Sequence, residues 1–163
     1  MKFGTLPPKL PIWHPVAVLS TWGGSGLLPG APGTWGSLFT LPVAWVVASE
    51  FGHKSLIILA AVTFIFGTWA TSKYLQKSDT KDPGTIVVDE AAGQLLTLAL
   101  IPTEFWWYLF GFGLFRAADI MKPWPASWAE RVLPGALGVM SDDIFAACYS
   151  MATLYIAHSF LTG

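Results

Sequence analysis

The chain is poor in charge. Lys, Arg, Asp and Glu make up 12% of its 163 residues, about half the ~25% of an average soluble domain. The charges nearly cancel, to a net −1, so there is no electrostatic case for a nucleic-acid partner. The single cysteine, Cys148, excludes an internal disulfide. It lies in an apolar run and is expected to be a small buried hydrophobe rather than a nucleophile. No Gly-Lys-Ser or Gly-Lys-Thr occurs, which excludes a Walker-type phosphate loop. A Cys-x5-Arg thiol loop and an Asp-x-Asp-x-Thr opening are also missing, which removes two common covalent routes to phosphate hydrolysis. Of the three histidines, His53 and His158 map to the side away from the acids, so a histidine base or phosphohistidine is not expected. The opening stretch MKFGTLPPKLPIWHP holds prolines and no continuous apolar run, unlike a cleaved signal peptide.

What the chain has instead is apolar surface. It is 53% hydrophobic, with nine Trp and eleven Phe, more than a soluble domain of this size could bury. We read a single domain over residues 1–163 and an integral membrane protein: all-α, a polytopic helical bundle of about five apolar helices. The segments run roughly over 38–51, 56–74, 91–101, 105–118 and 144–161. The second and fifth approach the ~20 residues of a full span; the others are short. Pro102 and Glu104 between the third and fourth predict a tight helical hairpin. If the N-terminus is cytoplasmic and all five segments cross, Lys2, Lys9, Lys73, Lys77, Lys81, Arg116, Lys122 and Arg131 fall on or near the cytoplasmic side, and only Lys54 falls outside. The same threading brings four polar stretches, 20–37, 77–90, 116–125 and 138–143, to one face. That is the layout of an active site facing the cytoplasm.

Two adjacent acid pairs stand where apolar segments begin, Asp89-Glu90 and Asp142-Asp143. Carboxylates beside such segments are costly unless compensated. One pair could simply complement a helix N-terminus; two pairs on one face favour a bound cation, and hard oxygen ligands suit magnesium. The metal candidates are Asp82, Asp89, Glu90, Asp142 and Asp143. Ser141 reads as the N-cap of the last helix, with its acid pair in the first turn. In the stretch STWGGSGLLPGAPGTWGSL, the glycines allow a close backbone approach. Ser25, Gly33, Thr34 and Ser37 are the candidates for phosphate contact there, and Thr34 or Ser37 the candidate cap of the first long helix. In FRAADIMKPWP, Arg116 and Asp119 are placed to pair three residues apart, and Lys122 is fixed by the Pro-Trp-Pro that follows.

Together, GSGLLPGAPGTWGSL, DPGTIVVDEAAG, FRAADIMKPWP and GVMSDDIFA, in this order and spacing, resemble the phosphatidylglycerophosphatase A family over roughly residues 22–148. The resemblance implies a magnesium-dependent lipid phosphatase of the bacterial inner membrane, with an anionic phospholipid as substrate and the bilayer as its setting. Phosphatidylglycerophosphate would be cut to phosphatidylglycerol and inorganic phosphate. On this reading Asp89, Asp119, Lys122 and Asp142 are the catalytic candidates, and Arg116 and Lys122 would neutralise the phosphoryl oxygens. Two other classes fit less well. An ion transporter would place acids at mid-membrane or on both faces. A CDP-alcohol phosphotransferase would need a longer Asp-Gly, Ala-Arg, Gly, Asp, Asp pattern. Oligomeric state is not legible in the sequence.

Overall fold

The computed structural model describes residues 3–8, 10–80 and 83–162. It is all-helical, with no strand among the described residues. The helices are α1 (Pro15–Ser20), α2 (Pro32–Phe51), α3 (Ser55–Leu75), α4 (Val88–Leu98), α5 (Phe105–Met121), α6 (Ala126–Val132) and α7 (Gly135–Thr162), with a 3-10 turn at Ser25–Leu27. Each of the five apolar segments coincides with one of the longer helices.

Two helix starts differ from expectation. α2 begins at Pro32, with Ala31 at the cap position, so Thr34 and Ser37 lie inside the helix. Proline at the first position carries the preset φ and lacks only an N–H that would go unpaired there. α7 begins at Gly135, so Ser141 is no cap and Asp142-Asp143 lie beyond the first turn.

Among the described residues, α3 and α7 are the two helices long and apolar enough to cross a membrane. At 1.5 Å rise per residue they measure about 31 and 42 Å. Their packing inverts the soluble pattern. α3 turns Ala60, Thr63, Gly67, Ala70 and Thr71 inward and leaves Ile58, Ile65, Phe66 and Trp69 outside. α7 buries Ala146, Ala147 and Ser150 and exposes Tyr155, Ile156 and Phe160. Small residues at helix contacts and large apolar ones outside suit lipid as surroundings. Interior hydroxyls bond one turn back, as Thr40 to Gly36 (2.8 Å), Thr97 to Gly93 (2.9 Å) and Ser150 to Ala146 (3.0 Å), so no polar group is stranded between the helices by these residues. Cys148 is exposed rather than buried; in such a helix an apolar run says nothing of which face points inward.

α4 is the centre. It touches α2, α3, α5 and α7, and nine of its eleven residues are buried. At about 16 Å it is too short to span. A core of Ala44, Leu56, Leu95, Leu98 and Leu154 lies toward its C-terminal end, and a second of Leu10, Val16, Tyr74, Val88 and Met140 toward its start. The turn after it leads into α5 through Glu104, the hairpin expected from Pro102 and Glu104.

Candidate active site

The arm ahead of α4 is held by close backbone contacts. Val87 N–H donates to the Ser20 carbonyl at 2.9 Å. A Cβ on Gly26 would collide with the Thr85 carbonyl, and one on Gly36 would come within 2.8 Å of Val87 Cβ. The glycine-rich stretch therefore lets α2 and the 3-10 turn close on the 85–90 arm. Gly33 continues the series: a Cβ there would overlap Glu90 Oε1. On the other side of α4, a Cβ on Gly93 would meet the Phe115 ring at 2.6 Å and the Asp143 carbonyl at 3.0 Å. α4 and α7 approach so closely because position 93 has no side chain, and this proximity brings the two acid pairs together.

The pairs have the same internal design. Asp89 Oδ1 accepts the Glu90 N–H at 3.1 Å, and Asp142 Oδ1 accepts the Asp143 N–H at 3.1 Å. Their outward engagements differ. Carboxylate oxygens of Asp89, Glu90 and Asp143 lie within 4.8 Å of one another. Asp142 turns instead to Lys122, whose Nζ donates to Oδ2 at 2.8 Å. Lys122 ends α5 in the left-handed region (φ 44°), a conformation costing a non-glycine residue about 1 kcal/mol, and it has Asp142 as its carboxylate partner. Arg116 pairs with Asp119 at 2.6 Å, as the spacing predicts, and reaches Glu90 Oε1 at 3.9 Å.

All of these residues line one cavity of about 930 Å³. Its walls are the starts of α2, α4 and α7, the end of α5, α6, and the loop around Ser78–Thr80. The four polar stretches therefore do gather at one end of the bundle. Gly33, Asp89, Glu90, Arg116, Asp119, Lys122, Asp142 and Asp143 face the cavity. Ser25, Thr34 and Ser37 do not line it. The Ser25 hydroxyl donates to the Thr21 carbonyl at 3.1 Å and Ser37 to Gly33 at 3.0 Å. Asp82 lies outside the described residues. None of the three histidines lines the cavity, and His158 stacks edge-on against Trp107. Asp79 and Arg131 line it as well; neither was singled out as a site residue, because nothing local in the sequence sets either apart from a solvated surface charge.

The lining carries six acids against three bases. Glu90 Oε2 and Asp143 Oδ2 are buried without a hydrogen-bond partner among the described residues. Burial, with Glu90 adjacent, holds the Asp89 carboxyl well above its usual range. Burial chiefly, with Asp143 and Asp119 adding to it, pushes Glu90 up to about 8. Hard carboxylate oxygens, converging and unsatisfied, fit a divalent cation of the magnesium kind. Without a cation, burial holds Asp89 and Glu90 toward their protonated, neutral form, and a cation would have to displace those protons on binding.

The sequence model of the phosphatidylglycerophosphatase A family matches residues 18–158. The chain is 36% identical over 148 residues to phosphatidylglycerophosphatase A of Haemophilus influenzae, covering 90% of this chain and 91% of that one. It is 35% identical over 153 residues to phosphatidylglycerophosphatase A of Escherichia coli, covering 93% and 87%. A protein of Bacteroides thetaiotaomicron with the provisional name phosphatidylinositol-3-phosphatase is 34% identical over 157 residues, covering 91% and 96%. No solved structure matches.

Proposed function

Because this chain belongs to the phosphatidylglycerophosphatase A family, we propose that its cavity hydrolyses the terminal phosphomonoester of phosphatidylglycerophosphate, releasing phosphatidylglycerol and inorganic phosphate. The observation that carries this reading is the trio of converging carboxylates, Asp89, Glu90 and Asp143, facing the same cavity as Arg116 and Lys122.

Asp89, Glu90 and Asp143 would hold magnesium. When bound, the ion polarises the phosphoryl group and lowers the pKa of water. The chain's own residues do the rest. Lys122, oriented by Asp142 Oδ2, brings its ammonium to the phosphoryl oxygens. Arg116, steadied by Asp119, supplies the second positive charge and carries part of the charge that develops during transfer. Asp142 thus acts by positioning Lys122. Two lining acids, Asp79 and Asp119, belong neither to the trio nor to the Lys122 pair; Asp119 is the one beside Arg116, and we assign it the proton of the attacking water, at the oxygen not held by Arg116. Gly33 leaves room for Glu90. Ser25, Thr34 and Ser37 support the wall rather than the phosphate.

The bundle sits in the bacterial inner membrane as a multi-pass protein. α2, α3, α5 and α7 face lipid, and α4 is enclosed among them, its backbone satisfied internally as a buried helix requires. The cavity opens to the cytoplasm, where the phosphate-bearing headgroup would meet it while the acyl chains stay in the bilayer. Phosphate release from purified protein is the test, with phosphatidylglycerophosphate and phosphatidylinositol-3-phosphate run in parallel, each with and without magnesium. Hydrolysis of the first alone, abolished by chelation, supports the assignment. Preference for the inositol lipid, or activity indifferent to chelation, would overturn it.

A further inference from the structure

Arg131 is the basic residue of the cavity that the proposed reaction leaves without a task. Arg116 is committed to Asp119 and Glu90, and Lys122 to Asp142. Arg131 pairs with no carboxylate among the described residues; its Nε donates to the Ser127 carbonyl at 2.8 Å. That bond fixes the plane of the guanidinium and leaves the terminal amino groups as a fork, the geometry that grips two phosphate oxygens.

Its place in the fold says which phosphate. α6 buries Ala126 and Ala129 toward the bundle and exposes Trp128 and Val132, with Trp124 exposed just before it. A short helix with tryptophan and aliphatic residues on its outer face belongs at the headgroup level of a bilayer. Arg131 sits in its last turn, exposed, and contributes to the cavity lining. Exposed, yet part of the cavity lining, it occupies the lip between cavity and lipid surface, whereas Asp89, Asp142 and Asp143 are buried. The substrate of the proposed reaction carries two phosphates. The monoester enters the cavity and is cut; the phosphodiester stays with the diacylglycerol at headgroup depth.

We propose that Arg131 binds the phosphodiester of the lipid headgroup and so selects a substrate with a second phosphate beyond the one removed. This rests on the proposed hydrolysis of phosphatidylglycerophosphate. It assigns the lip of that site.

The two products separate the two phosphates. Phosphatidylglycerol keeps the phosphodiester alone, and inorganic phosphate reports the inner site alone. In full-length protein in mixed micelles at fixed total lipid, Arg131→Gln should raise KM for phosphatidylglycerophosphate about tenfold, the scale of one charged hydrogen bond. The inhibition constant for phosphatidylglycerol should rise by the same factor, with kcat and inhibition by inorganic phosphate unchanged. Arg131→Lys should fall between, keeping the charge and losing the fork. An unchanged KM would overturn the assignment, as would equal weakening of inhibition by inorganic phosphate, or a wild-type enzyme that phosphatidylglycerol does not inhibit. A wild-type enzyme that leaves phosphatidylglycerophosphate intact would instead overturn the activity beneath it.

Discussion

Gly33→Ala tests whether the carboxylate trio works as a unit. The added Cβ would overlap Glu90 Oε1, and would lie 2.9 Å from Glu90 Cδ and 3.1 Å from Arg116 Nη2. Gly33 is in the first turn of α2 with ordinary helical φ, so alanine adds up to about 1 kcal/mol of helix propensity there. The clash is with the end of a flexible side chain, and it is relieved by swinging the Glu90 carboxylate out of the trio. Stability and activity should therefore part company. The thermal midpoint in detergent should hold or rise, while activity at limiting magnesium falls about 10- to 100-fold, the loss typical when a metal ligand is misplaced. Excess magnesium should restore part of it. Gly113→Ala on α5, where a Cβ meets nothing within 4 Å, is the control and should leave activity alone. Wild-type activity of Gly33→Ala at limiting magnesium would show that Glu90 does not need its observed position, and the trio would lose a member.

The two aspartates of the second pair should fail differently. Asp143→Asn should cut activity by more than about a hundredfold and raise the magnesium requirement. Asp142→Asn should lower kcat by a similar factor without altering that requirement, because it releases Lys122; a matching magnesium shift in both titrations would contradict the division of roles. Gly93→Ala forces a methyl against the Phe115 ring and the Asp143 carbonyl, an overpacking that should cost about 1–3 kcal/mol and appear as a lower unfolding midpoint. Glu104→Gln lies at the far end of α5, exposed and making no side-chain cap bond. It should stay within about 0.5 kcal/mol of wild type and keep full turnover, so a clear loss in the phosphate-release assay would contradict the placement of the site.

Much of this arrangement is legible in residue order. Apolar runs broken by Gly, Pro and charge mark the five long helices, and their alternation sends Asp89, Asp119, Lys122 and Asp142 to one end. The i,i+3 spacing of Arg116 and Asp119 is realised as an ion pair. Helix starts were harder. Pro32 and the Pro134-Gly135 step carry the signal for α2 and α7, yet Thr34, Ser37 and Ser141 compete with it as capping residues. The apolar stretch between Gly135 and Met140 lets α7 start early. The choice within each acid pair was not legible at all. Neighbours on a helix differ by about 100°, and which one turns to Lys122 depends on how α5 and α7 are packed. The glycines near residue 30 were read as room for a ligand; Gly26, Gly33 and Gly36 make room for the 85–90 arm, a distant partner that no local pattern reveals. Arg131 escaped because α6, at seven residues between prolines, has no periodicity to read.

The inversion of large and small residues in α3 and α7 divides the molecule into two layers that can be changed independently. Ile58, Ile65, Phe66, Ile156 and Phe160 face outward, and none of them lines the cavity. Substituting that outer coat with polar residues would alter what solvent the protein tolerates while sparing the close helix contacts that hold Asp143 against α4. The geometry of the candidate site is thus encoded in glycine, alanine and hydroxyl positions, and compatibility with lipid in a skin of aromatic and branched side chains. A water-soluble version of this site would be reached by rewriting the skin alone.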